Sequence, residues 1–217
     1  MTIALADARR NIRQSLNLAT PFILPSLRVH KYDMHVMLWV AKRKLPALVA
    51  GAPFLTRHTA MIVPVAPDLK MVFGVAKMAR DQGASRIQQE ALRVAPLTPG
   101  QAFIGSGAKY RYAYTALAVI FDEYKRTSPD LIRTAVRNAA QLANERGATK
   151  LILPDFTENL LAQPNWITSG QRRETAEIAA FTTIEAVRAC RGMADTVHIW
   201  CWNPENAPLY ERELKRF

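Results

Sequence analysis

Cysteine, histidine and long apolar runs are all scarce in this chain of 217 residues. It has 2 cysteines, Cys190 and Cys201, too few for the disulfide framework that holds many small secreted domains together. We therefore expect two buried thiols in a reducing, cytoplasmic compartment. No apolar run approaches the roughly 18 residues that a membrane-spanning helix requires, so we expect no membrane span.

The 4 histidines do not form a metal site in the sequence pattern. His35 and His198 lie inside apolar runs, and His30 and His58 have no second ligand residue at the spacing that metal sites use. The two cysteines are likewise placed in different predicted elements. We predict no metal ligands and no cofactor.

Acidic residues are outnumbered by basic ones, 18 against 29, which gives a net charge of +11. Such an excess favours polyanionic partners, of which nucleic acid is the commonest. The same charge also fits a basic, soluble surface that has no polyanionic partner. The apolar fraction of 49% is enough for a complete hydrophobic core.

Apolar runs typical of strands alternate with helical patterns from residue 34 to the end of the chain. The predicted strands cover residues 34–40, 60–65, 101–104, 117–121, 150–153 and 196–202. This alternation predicts an α/β fold with a largely parallel sheet and helices on both faces. We divide the chain into an N-terminal helix and connector, residues 1–30, and one domain, residues 31–217.

The segment from Ala60 to Met78 is the centre of this pattern. Pro64 and Pro67 predict the end of its strand, because proline cannot donate a hydrogen bond to the sheet. Asp68 is predicted to cap the helix that follows, and Gly74 to permit a close approach of another backbone.

Ligands of parallel α/β sheets bind beyond the carboxyl ends of the strands. Three loops that follow predicted strands are rich in small or polar residues, and we expect them to meet on one rim. They cover residues 66–74, 105–109 and 154–159.

Four segments resemble, in order and spacing, those of the macro domain, the ADP-ribose-binding module. AMIVPVAP (60–67) is similar to a family strand that usually reads DAIVNAAN, and FGVAKMARDQG (73–83) to the glycine-rich segment and helix after it. GQAFIGSG (100–107) resembles the family's G-x-A-x-x-T-x-G turn, and ATKLILPDFTENL (148–160) its phosphate loop. The resemblance implies a three-layer α/β/α fold with a mixed, mostly parallel sheet that binds ADP-ribose or a related nucleotide.

Three of these motifs differ from the family at positions that contact the ligand. Pro64 and Pro67 replace two asparagines, and proline has no hydrogen-bonding side chain for the catalytic role of the second one. The triple glycine becomes Phe73-Gly74-Val75, and the Gly-Thr-Gly of the phosphate loop becomes Thr157-Glu158-Asn159. The resemblance thus implies a divergent module that binds without turnover and has no catalytic residue.

The loops and the resemblance together predict one set of ligand-contacting residues, with Phe156 as a candidate stacking surface. The set is Asp68, Gly74, Val75, Gly105, Ser106, Gly107, Phe156, Thr157, Glu158 and Asn159.

Two other functions stay open at this point. In an enzyme, Asp155 and Glu158 of one loop would serve as acid, base or metal ligands, although a solvated turn with a helix cap is the explanation that we favour for them. In an interaction protein, the crevice would be filled and a basic face would bind nucleic acid or another polyanion. The candidate basic residues are Arg9, Arg10, Arg13, Lys42, Arg43, Lys44, Arg172 and Arg173.

Overall fold

A computed structural model describes residues 27–28, 35–40, 57–81, 85–107, 112–156, 159–160, 169–201 and 206–214. Within these residues the chain forms one sheet of 7 strands and the helices that cover it. The strands are β1 (Leu27–Arg28), β2 (His35–Val40), β3 (Thr59–Val65), β4 (Ala102–Ser106), β5 (Tyr114–Val119), β6 (Lys150–Pro154) and β7 (Thr196–Cys201). The helices are α1 (Gly74–Ala79), α2 (Ser85–Leu92), α3 (Pro129–Glu145), α4 (Ser169–Ala189) and α5 (Ala207–Leu214).

The strand order in the sheet is β1-β2-β7-β6-β3-β5-β4. All neighbours from β2 to β5 run parallel, and the two outermost strands, β1 and β4, run antiparallel to their partners. Every residue of β3 is buried, as expected of a central strand that is covered on both faces. The predicted α/β fold with a mixed, mostly parallel sheet is confirmed.

Two hydrophobic clusters lie on opposite faces of this sheet. Successive residues of β5 show the division, because side chains of a strand alternate between faces. Ala116 and Ala118 pack in the cluster with residues of α3, α4 and α5, whereas Leu117 and Val119 pack in the cluster with residues of α1 and α2. The fold is therefore a three-layer α/β/α sandwich.

Helix α3 begins where its sequence signals place it. The Ser128 hydroxyl accepts a hydrogen bond from the backbone N–H of Leu131 at 3.2 Å, and Pro129 occupies the first turn. One stripe of the helix is buried, and Arg133 and Arg137 outside this stripe are exposed. The stripe consists of Ile132, Val136, Ala139 and Ala143.

The predicted N-terminal helix and most of its connector lie outside the described residues. Leu27 and Arg28 already pair with β2 at the edge of the sheet. The division at residue 30 stays a prediction. In the part of the chain that the structure describes, no helix is long and apolar enough to cross a membrane.

Candidate functional site

The sheet opens between β3 and β6 at the carboxyl ends of these strands. Their paired residues end at Met61 and Ile152. Beyond that point β3 continues beside β5 as far as Val65, and β6 continues beside β7 as far as Pro154. Two parallel strands that part and turn to opposite neighbours form the crevice in which α/β proteins hold their ligands.

The segment after β3, residues 66–73, forms one wall of this crevice. Its first turn is closed by a 2.9 Å hydrogen bond from the Leu69 N–H to the Ala66 carbonyl, and Leu69 itself has φ 55°. Asp68 is exposed in this turn and accepts a 3.1 Å hydrogen bond from the Lys70 N–H. The prediction that Asp68 caps the next helix is wrong, because the turn holds the chain out of helical conformation until Gly74.

Gln88 of α2 fixes the same wall from outside. Its side-chain amide donates to the Leu69 carbonyl at 3.1 Å and accepts from the Met71 N–H at 2.5 Å. A further bond of 3.0 Å joins the Leu97 N–H to the Pro67 carbonyl. Both polar ends of the Gln88 amide therefore bind the wall of the crevice.

Phe73 and Gly74 stand at the end of the wall, where α1 begins. Phe73 is 46% exposed, and its ring meets that of Phe121 edge to face, with centroids 6.4 Å apart and planes at 63°. Gly74 has φ +54°, and no described atom lies within 4 Å of the position that a Cβ would take. The left-handed backbone at position 74 thus explains why the residue is glycine, and the close approach of another backbone that the sequence predicted is not observed. Val75 follows, half-buried.

The opposite wall follows β6. Asp155 is 5% exposed, and Phe156 is fully buried in the hydrophobic cluster under α3 and α4. The prediction of Phe156 as a stacking surface is wrong, because its ring points into the core and presents no face to a ligand. Thr157 and Glu158 lie outside the described residues, and Asn159 is half-buried.

A third segment, residues 121–128, leaves β5 at the same edge and was not predicted as part of the site. The Asp122 carboxylate accepts from the N–H groups of Tyr124 and Arg126 at 2.9 and 2.8 Å and from the Arg126 guanidinium at 2.8 Å. Burial alone would raise the pKa of Asp122, but these bonds from Arg126 and Tyr124 hold it below its ordinary value. Arg126 also lies over the Tyr124 ring, 4.9 Å from its centre. The acid-to-arginine spacing of four residues was the available signal for this ordered loop.

Gly105, Ser106 and Gly107 lie at the other edge of the sheet. Because β4 is antiparallel to β5, its last residue, Ser106, pairs with Tyr114 at the start of β5. The expectation that loops 66–74, 105–109 and 154–159 meet on one rim is therefore wrong for the middle loop. The other two do leave the same edge.

At this far edge Gly105 and Ser106 pack against α2, and Gly107 packs against the backbone that precedes β5. The N–H and hydroxyl of Ser106 donate to the Glu90 carboxylate at 3.1 and 3.2 Å. A Cβ on Gly105 would lie 2.9 Å from Ile87 Cγ1, and one on Gly107 would overlap the Tyr112 carbonyl. Both glycines are required by close packing.

The basic candidates for a polyanion site lie largely beyond what the structure describes. Arg9, Arg10, Arg13, Lys42, Arg43 and Lys44 fall outside the described residues, and only the backbone is described for Arg172 and Arg173. Among the described side chains, no group of three or more histidine, cysteine, aspartate or glutamate residues is arranged to hold a metal ion.

Comparison with known proteins identifies the fold. Residues 64–169 match the family model described as Macro domain. The Oceanobacillus iheyensis macrodomain with MES bound superposes with a TM-score of 0.63 at 12% identity, covering 91% of this chain and 96% of that one. The same macrodomain with ADP gives 0.61 at 13% identity, covering 91% and 96%. The Trypanosoma brucei macrodomain in complex with ADP-ribose gives 0.57 at 14% identity, covering 81% and 68%.

None of the curated proteins matches the chain. The chain nevertheless has the macro-domain fold, and the resemblance predicted from its motifs is confirmed. The matched region begins at Pro64, near the end of β3, and extends to Ser169. It includes both segments that border the crevice between β3 and β6.

Proposed function

We propose that this chain binds ADP-ribose or a related nucleotide in the crevice between β3 and β6, without turnover. The observation that carries the proposal is the parting of β3 and β6 after Met61 and Ile152, at the edge where the matched macro-domain segments emerge. The similar macrodomains were solved with ADP and with ADP-ribose, which supports a ligand of this class.

The proposed contacts are those predicted residues that border the crevice. Gly74 offers an exposed backbone with open space beyond it, and Val75 follows it at the start of α1. On the other wall we assign Thr157, Glu158 and Asn159 to the ligand by sequence position. Asp68 stands at the outer turn, where it already pairs with Lys70.

The absence of turnover is proposed from the chemistry of the same walls. Pro64 and Pro67 offer no side-chain donor or acceptor to position a water molecule. Asp155, a carboxyl that follows β6 on the opposite wall, is 5% exposed and therefore poorly placed to exchange protons with a substrate. Binding of a nucleotide needs neither a side chain that positions water nor a carboxyl that exchanges protons.

Thermal unfolding of the full chain with ADP-ribose or ADP tests the binding. A ligand at about 100 times its Kd stabilises the folded state by about 2.7 kcal/mol. In a chain of this size that raises Tm by roughly 5–10 °C. Lack of any shift with both ligands at millimolar concentration would disprove the proposed function.

A matched pair of glycine variants locates the ligand. Gly74→Asp adds an anion in the crevice and should abolish most of the shift, because it repels the diphosphate. Gly192→Asp is the control, since Gly192 also has a positive φ, +76°, and open space around it. Aspartate tolerates this backbone conformation in both variants. Equal ligand shifts in the two variants would contradict the assigned crevice.

The lack of turnover has its own measurement. Incubation of the chain with ADP-ribosylated protein should release no ADP-ribose above background, while an active ADP-ribose hydrolase serves as the positive control. Release by this chain would show that it is an enzyme and would leave the binding proposal standing.

The alternative of a polyanion-binding interaction protein is favoured by the net charge of +11 alone. Its candidate basic residues lie outside the described residues or have only their backbone described, so they add nothing to that observation. The nucleotide-binding module is accordingly the function that we propose.

A further inference from the structure

The side of α4 that faces away from the core carries two large apolar side chains in solvent. Ile178 is 42% exposed and Phe181 is 53% exposed, and their positions at i and i+3 make them neighbours on the helix. The other side of α4 is buried in the hydrophobic cluster that it shares with α3 and α5. Arg172 and Arg173, near the start of α4, fall at positions on other sides of the helix. Within the described residues, α4 thus has a second apolar centre that is left largely in solvent.

Acidic residues border this apolar centre, although the chain as a whole has a net charge of +11. Glu174 and Glu185 continue the stripe of Ile178 and Phe181 on either side at heptad spacing, and we call these four residues the outer face of α4. Arg188 binds Glu185 at 2.6 Å. In the part of the chain that the structure describes, Glu174 makes no ion pair. Such a face fits a partner that is apolar in the middle and basic at its borders.

Residues 4–18 of this same chain have that pattern. They lie outside the described residues, and their sequence predicts an amphipathic helix with Leu5 and Ile12 along its apolar side. Arg9 and Arg13, four residues apart, border that side. The segment is therefore complementary to the outer face of α4 both in its apolar stripe and in its charge.

The attachment of this segment to the sheet places it within reach of α4. Leu27 pairs with β2 at the edge of the sheet, and α5 contacts both β2 and α4. The described start of the chain is thus separated from α4 by α5, a distance of roughly 10–20 Å, or one to two helix diameters. Residues 19–26 form the connector between the segment and Leu27, and a chain of that length extends over roughly 26 Å.

We propose that residues 4–18 dock on the outer face of α4 and pack their apolar side against Ile178 and Phe181. The connector makes this contact intramolecular, so that a small face is sufficient. A second copy of the chain fits less well, because a stable complex buries about 800 Å² per partner and two chains of net charge +11 repel each other. The docking does not depend on nucleotide binding.

Limited trypsin digestion of the full chain tests the inference, because trypsin cleaves after arginine and a docked helix is protected. Cleavage after Arg13, followed by mass spectrometry, should be at least about tenfold faster in Phe181→Asp than in the wild type, since its rate follows the population of the undocked state. The control is Leu92→Asp. Leu92 is 47% exposed at the end of α2, which covers the other face of the sheet, and this variant should be cleaved like the wild type.

A second variant changes the segment instead of the face. Leu5→Asp should accelerate cleavage after Arg13 to the same extent, and the double variant with Phe181→Asp should be no faster than either single one, because each substitution alone undocks the segment. Circular dichroism verifies that each variant is folded. Leu5→Asp alters none of the described residues, so it decides the question if Phe181→Asp does not fold.

The possible outcomes separate intramolecular docking from its alternatives. Equal cleavage rates after Arg13 in the wild type, Phe181→Asp and Leu5→Asp would overturn the inference, and so would equally fast cleavage of Leu92→Asp and Phe181→Asp. Sedimentation of the same proteins tests the second copy as occupant. A wild-type dimer that becomes monomeric in Phe181→Asp without faster cleavage would assign the face to self-association and overturn the docking.

Discussion

His198 is a neutral base buried in the sheet. It lies in β7 with 3% of its surface exposed, and burial together with the positive charge of Lys150 lowers its pKa from 6.5 to about 4. Burial also raises the pKa of the Cys190 thiol to about 12, so this cysteine stays protonated and unreactive. Burial keeps both groups uncharged, because taking a charge out of water is costly.

The shifted pKa of His198 predicts a loss of stability in weak acid. Between pH 6.5 and about 4, His198 binds a proton in the unfolded chain but stays neutral in the folded one. The free energy of unfolding therefore falls as the pH falls through this range. The shift corresponds to about 3 kcal/mol. Urea denaturation of the wild type and of His198→Gln at pH values from 7 to 4 gives the free energy of unfolding of each protein. The wild type should lose stability more steeply with falling pH than His198→Gln. Identical slopes would contradict the assignment.

Helix α3 illustrates stability that belongs to an element and is encoded locally. Its N-cap Ser128 satisfies one of the backbone donors that no helical carbonyl can reach. Its buried stripe then holds the helix on the sheet beside α4. The cap and the stripe are separate contributions, and the cap can be removed without disturbing the core.

We expect Ser128→Ala to destabilise the protein by about 1 kcal/mol, because the Leu131 N–H loses its acceptor. Arg137→Ala, on the exposed side of the same helix, should change stability by less than about 0.5 kcal/mol. Chemical denaturation of both variants measures the two effects. Equal losses would show that the cap contributes nothing beyond an ordinary surface residue.

The described molecule is built on one sheet shared by two hydrophobic clusters. Leu117 belongs to the cluster under α1 and α2, and Leu151 belongs to the cluster under α3, α4 and α5. Both side chains are fully buried. Because the strands are common to both clusters, neither face can lose its packing without affecting the other.

Truncation on either face should therefore lower the stability of the whole. Leu117→Ala and Leu151→Ala should each cost about 2–5 kcal/mol and shift a single unfolding transition. Circular dichroism and tryptophan fluorescence during urea denaturation give two independent probes of that transition. Two separate transitions in either variant would show that the faces unfold independently.

Local signals in the sequence determined most elements of the fold. The prediction of β3 from its continuous apolar run and the predicted alternation of strands with helices were both correct, and the Ser128-Pro129 pair lies at the observed start of α3. Such signals are local, because the spacing of apolar residues within a segment indicates whether it is a strand or a helix and which of its faces is buried. The order of four motifs was also enough to indicate the macro domain.

Only the tertiary structure decided which residues share the crevice. Ser106 lies at the edge of the sheet opposite the crevice, because β4 runs antiparallel to β5. The direction of an outermost strand depends on its partner, which can lie elsewhere in the chain. Phe156 is buried and Phe73 is exposed, although both are phenylalanines in loops that follow strands. Packing against helices that are distant in the sequence determines which of the two rings is buried. Element type was thus fixed by neighbouring residues, and the composition of the site by contacts between distant ones.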